Sequence, residues 1–217
     1  MGVGEGIDIR HIIAKRAAME LQDGMVINLG IGIPTLVADY IPEDVRVILH
    51  AENGILGYGR APIPNTENPM LCNAGGFPIT LKAGASFFDS SLAFAMIRRG
   101  KLDMTILGAL EVSEKGDLAN WIVPGRRVPG MGGAIDLAQK AKKVIVLTNH
   151  VNKDGRSKIL HQCSLPLTAK SCVDMIITDM AVMEVTVSGL YLKEVMEPYT
   201  IQDVLDHTQA TLLLTKP

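Results

Sequence analysis

The sequence is poor in aromatic residues and has no strong excess of charge of either sign. Aromatic side chains make up only 4% of its 217 residues, so a hydrophobic core must be built from aliphatic side chains. The net charge is -2 at pH 7, which argues against general binding of nucleic acids or anionic membranes. No apolar run approaches the ~18 residues of a membrane-spanning helix. We therefore expect no nucleic-acid partner and no membrane span.

Cysteines are also scarce. Cys72, Cys163 and Cys172 are odd in number and widely spaced, which favours a reducing compartment over a disulfide scaffold and gives no metal-binding cluster. Residues 1–9 lack the basic and then apolar pattern of a secretion signal. We predict a cytoplasmic protein without a bound metal ion, and we interpret Cys72 as a small residue of the core.

Aliphatic residues are plentiful, and their spacing predicts the fold class. The chain is 47% hydrophobic and 20% charged, which suits one large domain over residues 1–217. Buried-strand patterns alternate with helical ones, so we predict an α/β fold with an open, mainly parallel sheet and helices on both faces. The predicted strands are 25–29, 45–49, 103–107, 143–147, 173–178 and 182–187. The predicted helices are 9–21 after an Asp8 N-cap, 34–40, a helix to residue 99 capped by Asp89 or Ser90, 134–141 and 200–207.

Three glycine-rich segments fall at predicted strand ends or just before a helix. They are Gly30-Ile31-Gly32, Glu52-Asn53-Gly54 and residues 130–133, which read Gly-Met-Gly-Gly. In a doubly wound sheet, ligands bind outside the carboxyl ends of the strands. Glycines let backbone N–H groups approach a ligand closely and point at its oxygen atoms. These segments therefore predict a ligand site at this edge of the sheet.

One hypothesis for the site is a dinucleotide-binding domain of an oxidoreductase. The Rossmann pattern consists of a strand, a G-x-G turn, a helix, a second strand and then an acidic residue. Glu52 lies twenty residues after Gly32, at the place of that acidic residue. The fingerprint also requires a third glycine or an alanine, whereas the sequence has Thr35 there, and Pro34 stiffens the turn. A lone G-x-G is a weak signal.

The other hypothesis is covalent catalysis by Glu52. A glutamate carboxylate is ionised at neutral pH, so it can attack a thioester carbonyl without a base to activate it. The oxyanion that forms needs N–H donors about 2.7–3.1 Å away. Gly132 and Gly133, at the start of a predicted helix, can supply such a donor together with a favourable helix dipole. On its own, however, Glu-Asn-Gly is more typical of a surface turn.

Several motifs in the same order resemble the family I coenzyme A transferases. Residues 51–57, AENGILG, resemble the active-site motif of that family. Four further segments resemble it in register: GASFF at 84–88, FAMIR at 94–98, GDLANW at 116–121 and GMGGA at 130–134. The resemblance extends from about residue 8 to about residue 210 and points to the β subunits of enzymes that use 3-oxo acids such as acetoacetate.

The resemblance implies a fold of the NagB/RpiA/CoA transferase type and a ping-pong transfer of coenzyme A between an acyl-CoA and a short-chain carboxylic or 3-oxo acid. In this scheme Glu52 forms an acyl anhydride and then a covalent thioester with coenzyme A, which is a substrate and not a tightly bound cofactor. Gly133 takes the position of an oxyanion donor. Contacts with substrate or coenzyme A are further expected at Gly30, Gly32, Asn53, Gly54 and Gly132.

The resemblance also implies a partner. Some relatives fuse two subunits into one chain, and this sequence resembles only the half that carries the glutamate. We therefore expect a separate α subunit and an α2β2 hetero-oligomer. The sequence does not identify the donor and acceptor acids, and it leaves the roles of His50, Arg126 and Arg127 open. His50 is more typical of a packed residue. Arg126 and Arg127 are typical of a solvated pair, or they contact an anionic substrate or coenzyme A. A non-catalytic ligand sensor on the same fold also stays open.

Overall fold

Helices and strands alternate in the computed structural model, which describes residues 8–125 and 130–215. The helices are α1 (Ile9–Ala18), α2 (Ile33–Leu36), α3 (Ser90–Arg98), α4 (Ala134–Lys140) and α5 (Ile201–His207), with a 3-10 turn at Val37–Tyr40. The strands are β1 (Val26–Leu29), β2 (Ile48–Ala51), β3 (Ile55–Tyr58), β4 (Leu81–Phe87), β5 (Met104–Gly108), β6 (Glu111–Ser113), β7 (Leu118–Ala119), β8 (Val144–Leu147), β9 (Ile159–Leu160), β10 (Met175–Ile177), β11 (Ala181–Thr186), β12 (Gly189–Val195) and β13 (Leu212–Leu213).

A ten-stranded sheet forms the centre of the fold, in the order β13-β12-β11-β10-β8-β5-β1-β2-β3-β4. The neighbours from β10 to β2 are all parallel, whereas β10–β11, β11–β12, β2–β3 and β3–β4 are antiparallel. A three-stranded sheet, β7-β6-β9, lies apart from it. The predicted α/β fold with a mainly parallel centre is confirmed.

The central strands are buried on both faces. In β8 the side chains of Ile145 and Leu147 enter one hydrophobic cluster with residues of α1, while Val144 and Val146 enter a second cluster with residues of α3 and α4. Successive side chains of a strand point to opposite faces, so a continuous apolar strand must be covered twice. Helices therefore lie on both faces of the sheet, as predicted.

Three helix starts are fixed by caps. The Asp8 side chain accepts a hydrogen bond from the Arg10 N–H, and the Asp89 side chain accepts one from the Leu92 N–H. Thr200 forms a capping box with the residue at the third helical position. The caps expected at Asp8 and Asp89 are therefore confirmed, and residue 200 is a cap instead of the first residue of the helix.

The sequence prediction was least accurate where strands lie at the edges or are short. The strand predicted at 45–49 is β2 at Ile48–Ala51, because Val26 pairs with Ile48 and fixes the register. The prediction omitted β3, β4, β6, β7, β9, β12 and β13. In β4 almost every residue is exposed, so this edge strand has no alternation of apolar and polar residues to detect. Cys72, expected in the core, is exposed.

His150 connects the loop after β8 to the C-terminal helix. Its side chain is fully buried, with Nδ1 2.9 Å from Thr178 Oγ1 and Nε2 2.8 Å from Thr208 Oγ1. Burial lowers the pKa of His150 to about 4; the charge of Asp179 acts in the opposite direction, and His207 lowers the pKa further. The ring is therefore neutral in the native protein at neutral pH.

This burial predicts that stability falls in acid. A histidine in the unfolded chain has a pKa of about 6.5, so it binds a proton below that pH. In the native protein His150 binds a proton only near pH 4. Between these two pH values the unfolded chain therefore carries one more proton at this residue than the native protein does. The free energy of unfolding should decrease as the pH falls through this window. Urea unfolding at neutral pH and at about pH 5 should show a smaller decrease for His150→Gln than for wild type. The control, His161→Gln, changes an exposed histidine whose Nδ1 lies 2.9 Å from Glu114 Oε2, so it should not make the decrease smaller than in wild type; equal decreases in all three would contradict the assignment.

Candidate active site

Glu52 directly follows β2 in the tight turn that leads into β3. The Gly54 N–H donates to the Ala51 carbonyl at 3.0 Å, and Gly54 adopts a φ of 109°. A Cβ atom at Gly54 would lie 2.0 Å from the Phe88 carbonyl oxygen, so no other residue fits there. The turn that carries Glu52 is therefore fixed by close approach of the chain after β4.

Asn28 holds the carboxylate of Glu52. It lies in β1, fully buried and beside His50 of β2 in the parallel register. Its Nδ2 donates to Glu52 Oε2 at 2.9 Å and to the His50 carbonyl at 3.1 Å. Sequence patterns did not single out Asn28, although a lone amide inside the apolar strand Val-Ile-Asn-Leu is the signal that would have found it. The bond restrains the Glu52 side chain in one orientation.

Gly133 approaches Glu52 from the other side of the site. It is buried immediately before α4, and a Cβ atom there would lie 3.4 Å from Glu52 Oε1 and 3.2 Å from the Phe94 ring. Gly132, beside it, has a φ of 52°, and no atom lies within 4 Å of a Cβ built on it. The fold thus brings the two predicted catalytic residues, Glu52 and Gly133, together from distant parts of the chain.

The predicted G-x-G segment lies at the end of β1. The Gly30 N–H donates to the Ile106 carbonyl at 2.8 Å, and a Cβ atom at Gly30 would lie 3.1 Å from that oxygen. Thr35 Oγ1 donates to the Gly30 carbonyl at 2.9 Å. Thr35 is the residue that departs from the Rossmann fingerprint, and here its side chain stabilises the turn after β1. Gly32 has a φ of 89° at the start of α2, and no atom lies within 4 Å of a Cβ built on it. Gly30 is packed against its neighbouring strand, and only Gly32 is open to a ligand.

The neighbours of Glu52 in sequence point in different directions. Asn53 is exposed and its Nδ2 donates to the Cys72 carbonyl at 2.8 Å, which ties the turn to the segment at residue 72. His50 is fully buried and stacks on Phe88, with ring centroids 6.4 Å apart. Burial lowers the pKa of His50, while the Glu52 carboxylate and the Ala93 backbone act in the opposite direction. His50 is therefore a neutral packed residue.

The described residues carry neither a metal cluster nor a membrane span. Within residues 8–125 and 130–215, no group of three or more His, Cys, Asp or Glu side chains has the arrangement of a metal site. No helix in the same residues is both long enough and apolar enough to cross a bilayer. Arg126 and Arg127 lie outside the described residues.

Known proteins with similar sequences share one enzyme family. The family model for coenzyme A transferases matches residues 10–207. The chain is 53% identical over 215 residues to the beta subunit of a probable coenzyme A transferase of Bacillus subtilis, and the match covers 99% of each chain. It is 48% identical over 202 residues to one subunit of the succinyl-CoA:3-ketoacid coenzyme A transferase of Helicobacter pylori, covering 93% of this chain and 97% of that one.

Two longer proteins contain a segment that is similar to this chain. A mitochondrial succinyl-CoA:3-ketoacid coenzyme A transferase of Mus musculus is 52% identical over 197 residues, which are 90% of this chain but 38% of the mouse protein. The solved structure of an Escherichia coli acyl-CoA transferase superposes with a TM-score of 0.75 at 22% identity, covering 99% of this chain and 43% of that one. The chain thus spans less than half of each of these proteins.

The fold by itself is shared with a different chemistry. The AibA/AibB decarboxylase superposes with a TM-score of 0.72 at 20% identity, covering 97% of this chain and 88% of that one. The family must therefore be assigned from sequence, and the relatives do not favour the dinucleotide-binding hypothesis. Since the family model matches most of the chain and the bacterial relatives align over nearly all of it, the chain belongs to the coenzyme A transferase family of enzymes.

Proposed function

We propose that this chain transfers coenzyme A between an acyl-CoA and a short-chain carboxylic or 3-oxo acid through a covalent thioester on Glu52. The observation that carries the proposal is the arrangement of Glu52, oriented by Asn28 and approached by the buried backbone at Gly133. The names of the bacterial relatives, which include an acetate transferase and 3-ketoacid transferases, support the class of acids.

The reaction begins when a Glu52 carboxylate oxygen attacks the thioester carbonyl of the donor acyl-CoA. The C–S bond breaks, which gives an acyl anhydride on Glu52 and a coenzyme A thiolate. The thiolate then attacks the glutamyl carbonyl, so that the donor acid leaves and coenzyme A becomes bound to Glu52 as a thioester. The acceptor carboxylate repeats these two steps in reverse, and Glu52 is regenerated.

Each tetrahedral intermediate carries a negative oxygen that needs N–H donors. We assign one donor to Gly133, whose lack of a side chain leaves room beside Glu52 Oε1. Gly132, at a positive φ, shapes the approach to it. Gly32 and the turn at Asn53 and Gly54 border the same edge, and we assign them to the lining of the substrate site.

Water must be excluded, because hydrolysis of the anhydride or the thioester would end the transfer. Glu52 is only half-buried in this chain, so another surface must cover it. We propose that a separate α subunit does so in an α2β2 assembly in the cytoplasm. Two facts support it: the bacterial relatives are named as subunits, and the mouse relative is much longer than this chain.

Glu52→Gln should abolish transfer in the complex of this chain with its α subunit. The amide is a poor nucleophile and cannot form the anhydride, so kcat should fall by roughly 10⁴–10⁶-fold, as for other nucleophile deletions. Coenzyme A exchange between acyl-CoA and a labelled acid measures this, with the exposed Glu43→Gln as control. The chain assayed without its partner should show only background. Activity near the wild-type level in pure Glu52→Gln would contradict the proposal.

Gly133→Ala should lower turnover more than it weakens coenzyme A binding. The added methyl group would lie 3.2 Å from the Phe94 ring and 3.4 Å from Glu52 Oε1, so it must displace the backbone donor or the carboxylate. Loss of one oxyanion donor costs about 10²–10³ in kcat. The comparison is Gly24→Ala, where no atom lies within 4 Å of the new methyl group; it should reduce stability but not kcat. Equal kcat in both variants would make Gly133 purely structural.

A further inference from the structure

Three polar side chains lie side by side in the buried centre of the large sheet. Asn28 of β1 pairs with His50 of β2 on one side and with Thr105 of β5 on the other. All three are fully buried. Their neighbours in sequence, such as Ile27 and Met104, belong to the cluster that contains α1. Because side chains alternate along a strand, Asn28, His50 and Thr105 form a polar row on the opposite face, which α3 and α4 cover.

Four polar atoms of this row have no hydrogen-bond partner within residues 8–125 and 130–215. They are Asn28 Oδ1, Thr105 Oγ1 and both ring nitrogens of His50. A buried polar atom without a partner costs free energy, and an apolar side chain of the same shape avoids that cost. Valine has the shape of threonine, and the residue paired with Thr105 in β8 is the buried Val144. The hydroxyl group of Thr105 therefore needs an explanation other than packing.

The Asn28 amide indicates what that explanation is. Its Nδ2 donates to the His50 carbonyl of β2 and to Glu52 Oε2. Oδ1 is the other end of the amide group, and the strand on the other side of β1 is β5, which carries Thr105. An amide oxygen only accepts hydrogen bonds, whereas a threonine hydroxyl can donate one. The two atoms are complementary, although they do not bond to each other directly.

A water molecule can join two such atoms. Buried waters typically make two to four hydrogen bonds to buried polar groups that otherwise lack partners. A water between Asn28 Oδ1 and Thr105 Oγ1 would donate to the amide oxygen and accept from the hydroxyl. It would hold the amide with Nδ2 towards Glu52. The reverse orientation would place the amide oxygen against the Glu52 carboxylate, so that two acceptors would face each other.

We infer that a buried water site between β1 and β5 joins Asn28 Oδ1 to Thr105 Oγ1, and that Thr105 thereby helps to position the Glu52 carboxylate. Thr105 acts through Asn28, so it is a positioning residue and not a catalytic one. The inference rests on the proposed function, because only that function makes the orientation of Glu52 matter. The water site itself does not depend on the reaction, so the two can be tested separately.

A crystal structure of the complex of this chain with its α subunit, at a resolution that shows ordered water, tests the site. We expect a water within about 3.2 Å of both Asn28 Oδ1 and Thr105 Oγ1. A wild-type structure with ordered water elsewhere in its core and none at this place would overturn the inference.

Thr105→Val tests the positioning role, because it keeps the shape of the side chain and removes the hydroxyl. In single turnover with acyl-CoA alone, the loading of Glu52 with coenzyme A should slow by about 3- to 10-fold, the effect of one neutral hydrogen bond. The KM for acyl-CoA should stay near the wild-type value, and Thr105→Ser should restore the loading rate. Ile145→Val changes a buried residue of β8 on the other face of the sheet. It controls for loss of core packing and should leave the rate unchanged.

Stability and coupling separate this role from a purely structural one. Removal of an unpartnered hydroxyl from a dry core would raise the free energy of unfolding, whereas removal of a water-bridged hydroxyl should not. In an Asn28→Ala background, Thr105→Val should slow loading no further, because the amide through which it acts is gone. A Thr105→Val variant that is more stable than wild type and loads Glu52 at the wild-type rate would overturn the inference. A wild-type complex that never loads Glu52 would instead overturn the proposed function, even with the water in place.

Discussion

The parallel pairing of β1 with β2 is the constraint on which the site depends. It places Asn28 beside His50, and from there one amide group reaches both the His50 carbonyl and the Glu52 carboxylate. A slip of one residue would turn the Asn28 side chain to the opposite face of the sheet and remove this contact. The orientation of Glu52, the proposed nucleophile, is thus determined by the sheet and not by the loop alone, and such preorganisation can supply much of a rate enhancement.

Space is the second constraint around Glu52. A side chain at Gly54 would collide with the Phe88 carbonyl, and one at Gly133 would press on Phe94 and on Glu52 itself. Gly54 and Gly133 are therefore required to be glycines by close packing, in addition to any hydrogen bond that their backbone donates to an oxyanion. Since the shared fold also supports a decarboxylase, these local contacts, and not the architecture, must specify the chemistry.

The sequence predicts the parts of this fold that carry a periodic or chemical signal of their own. The buried central strands and the caps at Asp8 and Asp89 have such signals, and they were located to within a few residues. The antiparallel edges were missed because β4 is exposed along its length and the other missing strands are short or lack a clear alternation. Register, which brings Asn28 to Glu52, depends on pairing between distant segments and cannot be derived from local patterns. For the same reason the local pattern offered Gly132 and Gly133 only as candidate oxyanion donors, and the family resemblance then singled out Gly133.

The proposed mechanism requires a covalent thioester between Glu52 and coenzyme A, and trapping this intermediate is its most direct test. The complex of this chain with its α subunit is incubated with acyl-CoA in the absence of any acceptor acid and then digested for mass spectrometry. We predict one coenzyme A on the peptide that contains Glu52, linked through the side-chain carboxyl and removed by hydroxylamine. Rapid exchange of coenzyme A by a complex that never carries this adduct, or an adduct on another residue, would contradict it.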